Sequence, residues 1–150
     1  MALHSALTDP ELHEPKNIST ATAGDVYIAD GAGSGNWVPV PYSIDAAMAD
    51  VSVANTIYIP IPYGGTVTKV VSVLQGAITT ANDTITVRNA AGNSMGTLTI
   101  AFSGSAAGDV DVLSPVSNNT VTNDSFISIA SDGASNSAQG IRFAVYITRS

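Results

Sequence analysis

Short runs of alternating apolar and polar residues recur through the last hundred residues, each closed by glycine, asparagine, serine or proline. Asp83-Thr84-Ile85-Thr86-Val87-Arg88 puts Ile85 and Val87 on one side, and Gly96 to Phe102 repeats the pattern through Leu98, Ile100 and Phe102. A period of two is the signature of a half-buried strand, and no helix satisfies it. Ile57–Ile61, Thr66–Leu74, Val110–Val112, Thr120–Thr122, Ser125–Ala130 and Ile141–Thr148 add further strands. About eight short strands separated by turns imply a sandwich or barrel. The reading taken is an all-β chain with a single β-sandwich, jelly-roll-like, over residues 51–150. An immunoglobulin-like sandwich is the near alternative, although its Cys-Trp-Cys core is missing. The core expected from the alternation is Ile57, Ile59, Val67, Val71, Val73, Ile85, Val87, Leu98, Ile100, Phe102, Phe126, Ile129, Phe143, Val145 and Ile147.

The first fifty residues read differently. Residues 1–25 show neither period and contain Pro10 and Pro15, which suits an extended arm. Val26-Tyr27-Ile28 and Asn36-Trp37-Val38 flank the glycine-rich Asp30–Gly35, which predicts a short hairpin within residues 26–50. Ser43–Asp50 reads as a short helix or a connector. Seven of the twelve acids fall in residues 1–50 against Lys16 alone, while the remainder of the chain is nearly balanced. Neither part offers a basic face, so nucleic acid is not the expected partner. The acidic segment suits a basic protein surface.

Catalysis finds little to work with. The two histidines, His4 and His13, both fall in the arm, and there is no cysteine. No nucleophile–base pair on a rigid element can be drawn, so no enzyme is expected and no catalytic residue is named. His4, Asp9, Glu11, His13 and Glu14 match no metal-ligand spacing. Asp109 and Asp111 fall short of the six to eight oxygens, roughly, that calcium takes. The loop Gly31–Gly35 lacks a following Gly-Lys-Ser/Thr, so its glycines serve a turn rather than a phosphate. No cofactor is expected. There is no basic, apolar leader at the start and no apolar stretch of spanning length, so a membrane is not expected either. Trp37 and Tyr42 are candidate anchors, with Tyr58 and Tyr63 as rim residues.

Leu12-His13-Glu14-Pro15-Lys16, Ser19-Thr20-Ala21 and the run from Gly24 to Trp37 resemble the N-terminal module of tailed-bacteriophage structural proteins called head fibre, head decoration or cement proteins. The resemblance covers about residues 8–38. It departs from the family pattern at Asn17, where glycine is expected, and asparagine tolerates the left-handed conformation better than most residues. The resemblance implies a virion protein made in the host cytoplasm and carried on the outer surface of the capsid. Its implied partners are the major capsid protein and further copies of itself, a trimer before a dimer. It implies capsid contact through Leu12, His13, Glu14, Pro15, Lys16, Tyr27 and Trp37. A tail-fibre or receptor-binding accessory protein and a carbohydrate-binding adhesive domain are the alternative functions.

Overall fold

Antiparallel pairing accounts for every strand in the computed structural model, which describes residues 21, 22, 24–32 and 35–149. The chain divides into two compact units that meet between Val40 and Pro41. In the first, β1 (Asp25–Ala29) pairs with β2 (Gly35–Pro39) as the expected hairpin. Gly31 takes a left-handed φ of 77° at its turn, and the Ala32 amide donates to Asp30 Oδ1 at 2.8 Å. The expected arm falls mostly on residues 1–20, outside the described residues.

The second unit is a β-sandwich. Its strands are β3 (Pro41–Met48), β4 (Asn55–Ile61), β5 (Gly65–Leu74), β6 (Asp83–Asn89), β7 (Ser94–Ile100), β8 (Val110–Leu113), β9 (Thr120–Val121), β10 (Ser125–Ser131) and β11 (Ile141–Arg149). One sheet has the order β4-β10-β6-β7; the other has β3-β11-β5-β8, with the two-residue β9 beside β5. Setting β9 aside, the pairs β3–β11, β4–β10, β5–β8 and β6–β7 nest one inside the next. That is one long antiparallel hairpin wrapped into two sheets, which is the jelly-roll arrangement. The all-β jelly-roll reading therefore holds.

The alternation decides which residues fill the space between the sheets. Ile59 and Ile61, Ile85 and Val87, Leu98 and Ile100, Ile127 and Ile129, and Phe143, Val145 and Ile147 are all buried. Each such side chain contributes about 1.5–3 kcal/mol on burial. Gly96 leaves space for Leu113, which would lie 2.7 Å from a Cβ at that position.

Several expectations need correction. Ser43–Asp50 is neither helix nor connector: Tyr42, Ile44, Ala46 and Met48 turn alternately inward along β3, which pairs with β11 over its whole length. The period of two and the partner strand override the helical preference of the alanines, so the sandwich begins at Pro41 rather than Val51. Phe126 cannot share a face with Ile129 three residues on, and it stands on the outer surface at 38% exposure. Phe102 lies past the end of β7 and is exposed, and Ile57 is only partly buried.

Val71 and Val73 also leave the core, because of a bulge. Tyr146 pairs with Lys69 but Ile147 pairs with Val67, so Thr68 is an extra residue in β5. One extra residue reverses the inward–outward order beyond it. Val67 is inward before the bulge; Val70, Ser72 and Leu74 are inward after it. Val70→Ala is expected to cost about 2 kcal/mol and Val71→Ala less than about 1 kcal/mol. Urea denaturation of the two variants checks this, and equal losses would place the parity wrongly.

Candidate functional site

The hairpin carries the described part of the proposed attachment segment. A turn leads into it: the Thr22 amide donates to Asp25 Oδ2 at 2.8 Å and the Asp25 amide to the Thr22 carbonyl at 2.9 Å. Gly24, between them, has a φ of 97°, which suits glycine. Tyr27 and Trp37 are register partners, so their side chains leave the same face. Their rings meet edge to face with centroids 5.4 Å apart and planes at 63°. The opposite face holds Val26, Ile28 and Val38, with Val26 and Ile28 well exposed.

Of the seven residues expected at the capsid contact, the structure brings Tyr27 and Trp37 together. Leu12, His13, Glu14, Pro15 and Lys16 lie outside the described residues, as does His4. Sequence reading marked the two aromatics separately. The register that joins them follows from the length of the Asp30–Ser34 turn, which the sequence leaves open.

Tyr42, the other candidate anchor, belongs to the sandwich. Its hydroxyl donates to the carbonyl of Tyr63, their rings lie edge to face at 6.2 Å, and the Arg149 guanidinium sits 4.3 Å from the Tyr63 ring. Burial raises the Tyr42 phenol above its ordinary range, against the lowering effects of the Tyr63 carbonyl bond and the Arg149 charge. On this unit β3 and β4 are edge strands of opposite sheets. An open cleft of about 550 Å³ is lined there by Ile44, Pro60, Ile61, Pro62, Asp124 and Ser125. On the outer face of the four-stranded sheet Tyr58, 67% exposed, meets Phe126 edge to face at 5.4 Å.

Elsewhere the chemistry is that of loops. Asp109 Oδ2 accepts the Ala106 amide at 2.7 Å, and burial together with the Asp109 charge raises the Asp111 carboxyl. Among the described residues no three His, Cys, Asp or Glu side chains are grouped to hold a metal ion. No helix among them is long and apolar enough to cross a membrane.

No family model and no curated protein matches the sequence. Several solved structures are similar in part. A chain in the acid-stable capsid structure of Helicobacter pylori bacteriophage KHP30 is 17% identical, with a TM-score of 0.49, over 75% of this chain and 91% of that one. The CsCBM6-3 module of Clostridium stercorarium, solved in complex with cellobiose, is 14% identical, with a TM-score of 0.42, over 85% and 83% of the two chains. A chain of the Bacillus endospore appendages is 15% identical, with a TM-score of 0.38, over 75% and 90%.

Proposed function

We propose that the chain is a structural virion protein that binds the outer surface of a tailed-phage capsid and decorates or cements it, with no catalytic role. The attachment segment is residues 8–38, which resemble the phage head fibre and decoration module; the sandwich is the body held at the surface. The observation that carries this reading is the β1–β2 hairpin. A two-stranded ribbon has no interior, yet this one carries Tyr27 and Trp37 on one face and Val26, Ile28 and Val38 on the other. Val26 and Ile28 are exposed, and such residues gain burial against a further surface, which a capsid contact provides. Attachment as a homo-oligomer, with a trimer as first choice, multiplies a modest contact into firm binding. The acidic balance of residues 1–50 favours a basic patch on the major capsid protein rather than nucleic acid or an anionic membrane.

Gold-labelled antibody against the chain, viewed on particles by electron microscopy, tests the proposal. Label spread over heads is the expected result; label confined to tails would transfer the protein to the tail-fibre or receptor-binding class. A second reading, a carbohydrate-binding adhesive domain, is favoured by the exposed Tyr58 ring beside Phe126. Saturable binding to a glycan array, abolished by Tyr58→Ala, would support it.

A further inference from the structure

Asp83 opens β6 with its side chain turned inward and fully buried, and Ser131 closes β10 beside it, also buried. Ser131 Oγ stands 2.9 and 3.0 Å from the two oxygens of the Asp83 carboxyl and 2.9 Å from the carbonyl oxygen of Val51. It also accepts the Gly133 amide at 3.0 Å. A hydroxyl has one proton to give. With Asp83 ionised, its carboxylate and the Val51 carbonyl compete for that proton, in a place where an unmet acceptor is costly.

A proton on Asp83 removes the competition. The carboxylic O–H then donates, and the Ser131 hydroxyl is left for Val51. Asp132, the charged neighbour of Asp83, is fixed on the same segment, its Oδ1 accepting the amides of Thr84 and Ala134, each at 3.1 Å. The cluster joins three parts of the sandwich, namely the start of β6, the segment 131–134 and residues 49–54, which carry the chain from one sheet to the other. Segment and connection are in contact, since a Cβ on Gly133, whose φ is 70°, would fall 2.3 Å from the Ala54 nitrogen.

We propose that Asp83, Ser131 and Asp132 form an acid-set clasp, in which a proton on Asp83 frees the Ser131 hydroxyl for the Val51 carbonyl and so ties segment 131–134 to the sheet-to-sheet connection. When the proton leaves to solvent near neutral pH, that end of the sandwich loosens. The charged neighbour acting on Asp83 is Asp132, and no basic side chain among the described residues offsets it. On the connection, Asp50 is engaged by the Ser52 amide and hydroxyl at 2.8 and 2.7 Å; on the loop after β7, Asp109 is held by the Ala106 amide.

Burial first, then the bond to Asp132, pushes Asp83 up to about 6 from an ordinary 3.8. Desolvation is the largest single influence on Asp132 and raises it, but the hydrogen bonds with Asp83, Thr84 and Ala134 together outweigh it and hold the carboxyl at about 2. A carboxyl raised in the folded state adds stability that is complete below its ordinary value and lost as pH rises through the folded one. Asp83 therefore withdraws its contribution between about pH 4 and pH 6–7, while Asp132 withdraws its own only in stronger acid, leaving an optimum near pH 4.

Carbon-13 titration of the Asp83 carboxyl in the full chain reads the proton directly, with an expected midpoint near pH 6. Urea unfolding of the wild type and Asp83→Asn at pH 4 and pH 8 reads its consequence. Relative to the variant, the wild type is expected to lose about a hundredfold in its folding constant between the two pH values, about 3 kcal/mol. Exchange protection of the Gly133 and Ala134 amides should fall in parallel. A carboxyl midpoint below about pH 4.5, or an unfolding profile unchanged by Asp83→Asn, would overturn the clasp. The titration stands even if the variant folds poorly.

Discussion

Truncating Ile129 to alanine is expected to destabilise the sandwich by about 4 kcal/mol. Ile129 is fully buried on β10, the second strand of its sheet, paired with Ile57 of β4 on one side and Val87 of β6 on the other. Removing three carbons there leaves a cavity walled by regular strands, which cannot collapse without breaking the pairing that holds them. A domain of this size has about 5–15 kcal/mol in total, so one methyl-lined hole removes a large share. The melting temperature should fall by roughly 15 °C, read by circular dichroism. Phe126→Ala, three residues earlier on the same strand, is the contrast. Its ring lies on the outer face against Tyr58 and should cost about 1–1.5 kcal/mol. If the larger aromatic proved the more costly loss, the inner and outer faces of β10 would have been exchanged.

The same strand shows why part of the fold was legible and part was not. Alternation is local, so Ile85, Val87, Leu98, Ile100 and Ile129 could be placed inside from sequence, and eight short strands with turns between them implied a jelly roll. The errors arose where a non-local partner decides. The bulge at Thr68 is defined by the pairing of β5 with β11, some eighty residues away, and a sequence read by parity from Val67 puts Val71 and Val73 inside. The alanines of β3 favour a helix until β11 supplies hydrogen bonds along the whole strand. The period of two puts Asp83 on the inner face with Ile85 and Val87, but the partners that receive it there, Ser131 and the 49–54 connection, are announced by no spacing. At the hairpin the aromatic residues were visible, whereas their meeting on one face depends on the turn between them.

The second large effect concerns that hairpin. On the proposed capsid attachment, Trp37→Ala is expected to weaken binding to phage heads by about a hundredfold, roughly 3 kcal/mol per site. Tryptophan is the residue most often found at the energetic centre of a protein contact, because one rigid side chain covers a large apolar area. Here its loss also strips Tyr27 of its edge-to-face neighbour, so the remaining aromatic face is both smaller and less well held. Because the hairpin and the sandwich are separate compact units, the variant should melt at the wild-type temperature. That separates a binding defect from a folding defect. Ile129→Ala is expected to show the reverse, with a lower melting temperature and near-normal attachment in the cold. In a multivalent assembly the per-site loss is amplified, so co-sedimentation with heads should fall from saturation to background. Full co-sedimentation of the Trp37→Ala chain would remove the hairpin face from the contact and leave attachment to residues 8–20.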